Sequence, residues 1–442
     1  MRHRLHNAWF HLRRWCRAWT ALIGIPLAIN AGLVTIALVV QAAVAGHAGW
    51  LPLQIQAEAE PVLATIASIM ATATALLYSA LLVVQQLTTS QFSPRLVSGI
   101  PRDPWVQTGA GLTLGTTAYS LFTLAALRTH AAVDQTVGVA IAMVLAAVAF
   151  LAFILTLLHI SQMIQVNNVI HRVACETAEA IGARMHAARR PAATDPQVVT
   201  EHAPQRIRAS HSGYLQTVDY DELLALALGE GIAIQVTQPI GEFVTRDVTV
   251  FEVYTAANLA PRFVDKLRDT LAIGTTPTVE QDPEYGMRLL VDIALRAISP
   301  AINDPSTAVT CLDHMEDLLL LAAEHFDEDE VERQHEGAWV IKHCPTTFTR
   351  LLDRACRQLR HYGARDYAVQ IRLQRLLLEV AEHTDAPDRL DAIEGHAVGL
   401  WAAIERCGWP DHDLVVPRER QARLTAAIAR RRAPDGRRAI GG

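Results

Sequence analysis

The sequence predicts a mainly α integral membrane protein, with four transmembrane helices followed by a cytoplasmic α+β region made of a small β-module and a helical bundle. Three observations predict it. No Asp, Glu, Lys or Arg occurs between Arg17 and Glu58, Glu60 and Arg95, Asp103 and Arg128, or Asp134 and Arg172. Each stretch holds a mainly apolar window of ~20 residues, enough to cross a hydrocarbon core about 30 Å thick as a helix. Finally, 51% hydrophobic and 19% charged residues over 442 positions describe a chain divided between lipid and water, with ~250 residues left to build a soluble core.

A basic leader, 1–19, precedes a membrane domain, 20–160, whose spans are expected near 20–45, 61–87, 106–127 and 136–160. Arg2, Arg4, Arg13, Arg14 and Arg17 stand before the first span, and Glu58 and Glu60 after it. By the excess of arginine on the cytoplasmic side, the N-terminus is inside. The loop after the second span, with Gln91, Ser93, Arg95 and Arg102, is then a cytoplasmic membrane-interface loop. Arg172, Arg184, Arg189 and Arg190 place everything after the fourth span inside as well. The expected arrangement is multi-pass, with both termini cytoplasmic. A cleaved signal peptide fits poorly, because the apolar run is too long and three more follow.

Inside the spans the polar residues are mild: Asn30, Thr35 and Gln41 in the first, Thr65, Ser68, Thr72, Thr74, Tyr78 and Ser79 in the second, Thr113, Thr116, Thr117, Tyr119, Ser120 and Thr123 in the third. No ionisable group lies at mid-span, which disfavours a proton relay and leaves a passive pore open. Gly111 and Gly115, with Gly109 before them, read as a close-packing face. The fourth span lacks a proline after Ile160, so one helix is expected to continue through a helical extension and linker, 161–206, with Pro191 ending the helix.

A β-module is expected over 207–258: a strand at Tyr214–Val218, a helix at 221–228 capped by Asp219 or Asp221, a strand alternating at Ile232, Ile234 and Val236, a turn at Pro239–Gly241, and a strand at Val248–Tyr254. Its Gly-Tyr-Leu start and its 240–244 turn resemble the barrel-sandwich of biotinyl and lipoyl carriers. Those carry their cofactor on a lysine, and the chain's lysines, Lys266 and Lys342, fall outside the module, so no cofactor is expected.

The helical bundle, 259–410, contains the most distinctive run. A helix over ~284–298 should bury Leu290, Ile293, Ala294 and Ala297 and set Asp292, Arg296 and Ser299 on another face. Pro300 interrupts it, and Asp304 as N-cap with Pro305 behind it starts the next helix. Asp292, Arg296, Ser299, Asn303, Asp304 and Thr307 form a polar elbow that serves either as helix caps or as a ligand or subunit contact. A hydrolase using Ser299 and His314 lacks the GxSxG setting, and no Walker loop, HExxH or Rossmann fingerprint is present. Three amphipathic helices follow, led by Phe348–Leu359, Tyr367–Val380 and Leu390–Ile404. Arg350, Arg354, Arg357 and Arg360 recur between apolar positions of the first, as a solvated face or an anion site. The basic tail, 411–442, is left either touching anionic headgroups or disordered.

The order Gln91-Phe92-Ser93-Pro94-Arg95, Gly213-Tyr214-Leu215-Gln216, Gly241-Glu242-Phe243-Val244, Asp282-Pro283-Glu284-Tyr285-Gly286 and Ser299-Pro300-Ala301-Ile302-Asn303-Asp304-Pro305 resembles the bacterial predicted-membrane-protein family named domain of unknown function 2254. The resemblance spans about residues 10–410 and implies this architecture and location in a bacterial inner membrane. It implies no activity.

Six scattered cysteines have neither metal-ligand spacing nor a disulfide framework, and a net charge of −6 gives no reason to expect nucleic acid. The expected partners are the lipid bilayer and an unknown small ligand or protein, with a homo-oligomer left open. The leading expectation is a non-enzymatic protein whose cytoplasmic ligand- or partner-binding regulatory domain is coupled to the membrane domain. The alternatives are an oligomeric passive channel gated by that domain and a membrane-anchored enzyme of unrecognised type.

Overall fold

The computed structural model describes residues 25–44, 59–91, 103–128, 135–163, 165–188, 203–325, 332–335, 338–342 and 346–433. The chain divides into two compact units, Met1–Asn168 and Val169–Gly442.

The first unit holds α1 (Ile25–Val44), α2 (Ala59–Gln91), α3 (Pro104–Arg128) and α4 (Gln135–Met163). By length and composition three helical stretches can cross a membrane: Ala59–Gln86, Pro104–Leu127 and Val137–Met163. The described apolar run of α1, Pro26–Ala37, is shorter. Helix α3 packs against each of the other three. Glycine makes this approach close. A Cβ at Gly111 would lie 2.8 Å from the Ile29 side chain, one at Gly115 3.3 Å from Leu33, and one at Gly109 2.1 Å from Thr156 Oγ1. The glycine face therefore packs helices, as its spacing predicts. The hydroxyls beside it are turned inward: Thr113, Thr116, Ser120 and Thr123 are buried, and Thr116 donates to its own helix at Leu112 O over 2.8 Å. Outward faces carry Leu76, Leu82, Phe122, Val144, Leu151 and Leu158, large apolar side chains suited to lipid.

Helix α5 (Val166–Ala188) is a separate element. The expected continuous helix from the fourth span is thus corrected: α4 ends at Met163. The Gln165 amide turns back to Gln162 O at 3.2 Å, and Asn168 Nδ2 donates to the same carbonyl at 2.7 Å. A side-chain amide that satisfies a helix-end carbonyl stops a helix without proline.

The second unit contains two sheets. The larger has the order β1-β5-β3-β8-β7, from β1 (Gln205–Arg208), β3 (Ala233–Val236), β5 (Thr249–Tyr254), β7 (Glu332–His335) and β8 (Ala338–Lys342). The smaller has the order β4-β2-β6, from β2 (Gly213–Val218), β4 (Phe243–Val244) and β6 (Leu271–Gly274). Leu215, Leu223, Ile234, Phe251, Leu267 and Ile273 anchor one core beneath them. Helix α6 (Tyr220–Glu230) starts at Asp219, whose Oδ1 accepts from the Glu222 amide at 3.0 Å, and stops at Gly231, whose φ of 62° is left-handed. Helix α7 (Pro261–Asp269) precedes β6. Strand β8 pairs parallel with β3, Val236 opposite Lys342, so Lys342 ends a sheet strand instead of lying outside the β-structure. Strands β6, β7 and β8 come from the stretch expected to be helical.

The bundle consists of α8 (Pro283–Ala297), α9 (Pro305–His325), α10 (Phe348–Tyr362), α11 (Tyr367–Glu382), α12 (Pro387–Arg406) and α13 (Asp411–Arg432). Arg372 of α11, 8% exposed, ties that helix to α9 through Asp313 at 2.5 Å and Glu316 at 2.7 Å. Helix α13 corrects the expectation of disorder in the basic tail over its described residues. It buries Leu424, Ala427 and Ile428, and its Arg430, Arg431 and Arg432 bind Glu382, Asp385, Asp391 and Glu394.

Candidate functional site

The elbow folds as its residue types dictate. The Ser299 amide donates to Arg296 O at 3.1 Å, and the Ile302 and Asn303 amides both return to Ser299 O, at 3.0 and 2.9 Å. Asn303 takes a φ of 52°, a left-handed conformation that asparagine tolerates better than most residues. Asp304 then caps α9: the Thr307 amide donates to Oδ1 at 3.2 Å and the Thr307 hydroxyl to Oδ2 at 2.6 Å. Those bonds hold the Asp304 carboxyl below its usual range. Asp292 is half-buried and Arg296 exposed one turn later on α8, while Pro300, Ala301, Ile302 and Asn303 are all exposed. Ser299, Asn303, Asp304 and Thr307 thus come together as a turn and a cap. Of the membrane-interface loop, Gln91 ends α2, and Ser93 and Arg95 lie outside the described residues. His314 faces His171 of α5, ring centroids 5.8 Å apart.

A second assembly surrounds the Asp282-Pro283-Glu284-Tyr285-Gly286 motif at the start of α8. Asp282 is the N-cap, accepting from the Tyr285 amide at 3.1 Å, and Pro283 follows where no amide hydrogen is needed. Its carboxyl sits against the 240–244 turn: a Cβ on Gly241 would fall 1.9 Å from Asp282 Oδ2, and Gly241 has a φ of 88°. Two separate demands, a left-handed backbone and a missing side chain, therefore require glycine there. Burial pushes the Asp282 carboxyl up to about 7; neighbouring Glu284 adds to the rise, and the Tyr285 amide and the Arg354 guanidinium oppose it. Gly286, one turn on, admits α5, since a Cβ there would lie 2.0 Å from Thr177 Oγ1. One motif joins α5, the β-structure and the bundle.

Glu284 points to a third group. It is 10% exposed and bound by Arg350 at 2.7 Å and Arg354 at 3.5 Å, both from α10. These arginines, with Arg357 and Arg360, line a cleft of about 610 Å³ whose opposite wall is α12, with Ala392, Gly395 and His396. Arg357 binds Asp353 at 2.8 Å, and His396 Nε2 lies 3.7 Å from the same carboxylate. Burial, then the Arg360 charge, holds the His396 imidazole below its usual pKa, so it is neutral at pH 7. The arginine repeat was visible in the sequence; the wall facing it, some 40 residues later, was not. The four described cysteines are free thiols, and burial raises the Cys356 thiol to about 12. Among the described residues no group of three or more His, Cys, Asp or Glu is placed to hold a metal ion.

Comparison with known proteins adds a family. The family described as "Predicted membrane protein (DUF2254)" matches residues 17–379. An uncharacterized protein of Mycobacterium bovis and one of Mycobacterium tuberculosis are each 30% identical over 383 residues, covering 84% of this chain and 73% of theirs. An uncharacterized protein of a second M. tuberculosis strain is 29% identical over the same shares. No solved structure matches. With 363 consecutive positions inside the match, from 17 through 379, the chain belongs to the predicted membrane protein family DUF2254.

Proposed function

We propose that this is a non-enzymatic, four-span inner-membrane protein with both termini cytoplasmic, whose soluble unit binds a ligand or partner and passes that state to the membrane through α5. The junction motif at 282–286 is the observation that carries this reading. Within five residues it caps α8, abuts the Gly241 turn, supplies Glu284 to the arginine cleft and seats Thr177 of α5. A perturbation in the cleft therefore has a short packed route to α5, the helix that follows the membrane unit in sequence. In this reading α1 is the first span, and the elbow supplies turns and caps. Hydrogen exchange of the full chain in lipid nanodiscs tests it. Glu284→Gln should change protection within 166–188 as well as within 348–362; a change confined to α10 refutes the coupling. Cysteine labelling from either side of intact cells, at positions 10 and 50, tests the topology.

One observation favours a pore as the second reading. On α2 Pro61, Thr65, Ser68, Thr72, Ala75 and Ser79, alternating four and three residues apart, are all exposed. A left-handed helix pair follows that spacing, so copies meeting there would set hydroxyls along their seam. On α3, Thr113, Thr116, Ser120 and Thr123 are buried within the unit and are not available to such a passage. A steady selective current from purified protein in planar bilayers would favour this reading; its absence would favour the first.

A further inference from the structure

We infer that the cleft between α10 and α12 is a binding site for a phosphate-type dianion, carried by a phosphorylated small molecule or by a lipid headgroup. This rests on the ligand-binding reading above and names its site and ligand class.

Charge is the first argument. Four guanidinium groups line the cleft against two carboxylates, Glu284 and Asp353, leaving two positive charges in excess. Arg350, Arg354, Arg357 and Arg360 lie at i, i+4, i+7 and i+10, on one face of α10, so like charges stand a turn apart and repel. Glu284 is shared by two of them, and Arg360 has no carboxylate partner among the described residues. A ligand with two negative charges would complete the balance.

Shape is the second. Opposite the arginines, α12 lacks side chains at Gly395 and Gly399. Nothing lies within 4 Å of where a Gly395 Cβ would be, and at Gly399 that position is 2.2 Å from an Arg360 nitrogen. The guanidinium is thus laid across bare helix, with open room one turn earlier. A cleft of about 610 Å³ falls within the range of small-molecule sites, which run roughly 300–1,000 Å³.

Unsatisfied polarity is the third. His396 is 11% exposed, yet its Nδ1 is buried without a hydrogen-bond partner. A buried polar atom left unpaired is costly, and a phosphate oxygen or hydroxyl would satisfy it. Planar guanidinium forks match two oxygens of one phosphate, a geometry that an arginine cluster supplies. The Arg357–Asp353 and Arg350–Glu284 pairs hold those forks in place before a ligand arrives.

Pyrophosphate titrated calorimetrically into the full chain in neutral phosphatidylcholine nanodiscs tests this, with three variants alongside. Arg360→Gln removes the unpaired charge, Gly395→Leu fills the open room and leaves every charge in place, and Arg423→Gln removes an arginine from α13 outside the cleft. Saturable binding to the wild type, weakened at least tenfold by the first two and less than twofold by the third, is the expected result. Unchanged unfolding temperatures would show that the variants fold. A second set of nanodiscs, containing phosphatidic acid, separates the sources. If the lipid lowers pyrophosphate affinity in the wild type, the headgroup competes for the cleft; unaltered affinity assigns the cleft to soluble anions. No saturable binding in either set, or equal loss in the Arg423 variant, overturns the proposal. Binding without altered exchange in 166–188 would leave the cleft standing and refute only the coupling.

Discussion

Replacing Asp282 by Asn should remove a pH dependence of stability that the wild type carries near neutrality. In the fold the Asp282 carboxyl is pushed from 3.8 to about 7, chiefly by burial. The native state therefore holds a proton that the unfolded chain has released above pH ~4. Stabilisation from that proton is fully present at low pH and is lost as pH rises through about 7. Between pH 5 and pH 8 the loss integrates to about 3 kcal/mol, taking ~1.4 kcal/mol for each pKa unit. Asparagine cannot ionise and is an equally good N-cap, so it keeps the bond from Tyr285 and carries no such dependence.

The assay is thermal unfolding of the full chain and of Asp282→Asn in the same neutral detergent at pH 5 and pH 8. Comparing the two proteins at each pH cancels every other titrating group, provided the substitution leaves them undisturbed. The stability gap should move by about 3 kcal/mol in favour of the variant at pH 8, about 6–12 °C for a unit of this size. Parallel behaviour of the two proteins would refute the reasoning, because it would mean that the carboxyl is already ionised or is solvated from another direction.

Two further substitutions examine the packing of the same region. Gly286→Ala gains about 1 kcal/mol of helix propensity but forces a Cβ to 2.0 Å from Thr177 Oγ1, so a net loss of about 1–2 kcal/mol is expected in thermal unfolding. Adding Thr177→Ala should restore most of it; a double variant no better than the single one would place the clash elsewhere. Asp304→Ala should cost about 1 kcal/mol by loss of the α9 cap, and Asp304→Asn only a few tenths. Equal losses measured by denaturant unfolding would show that Asp304 needs its charge.

How much of this was legible in the sequence depends on the range of the interactions. Three of the four charge-free stretches, the Gly111 and Gly115 face, the Asp304 cap and the buried set Leu290, Ile293, Ala294 and Ala297 are marked by patterns within about seven residues, and these appear as expected. Strands β6 and β8 were missed because their partners β2 and β3 lie more than 50 residues earlier in the chain, and β7 is seen only as the hairpin partner of β8. Helix α13 was hidden by its arginines and an internal Pro417; its order comes from acids on α11, α12 and the turn between them, and from Gln374 donating to Pro417 O at 3.1 Å. The elbow stood out because proline and asparagine are conspicuous. The cleft did not, because its facing wall, Ala392, Gly395 and His396, comes from a helix some 40 residues later and has no local pattern that pairs it with the arginines.

The junction and the cleft are not independent, and their link yields a last prediction. Glu284 and Arg354 act on Asp282 in opposite directions, Glu284 raising its pKa and Arg354 lowering it. A dianion bound to the arginines competes with Glu284 for Arg350 and Arg354. It screens the guanidinium that favours ionised Asp282 and adds negative charge nearby, and both changes raise the Asp282 pKa further. Since that carboxyl titrates at about 7, binding near neutrality should draw in a fraction of a proton, and affinity should fall as pH rises through that value. Titration of pyrophosphate in two buffers of different ionisation enthalpy measures the uptake directly. Asp282→Asn should abolish the Asp282 share while leaving binding intact, because Asp282 does not line the cleft. Uptake that persists undiminished in that variant would assign the proton to another group, such as His396, flanked by Arg357, Arg360 and Asp353, or to the pyrophosphate itself. The link between ligand charge and the 282–286 junction would then be lost.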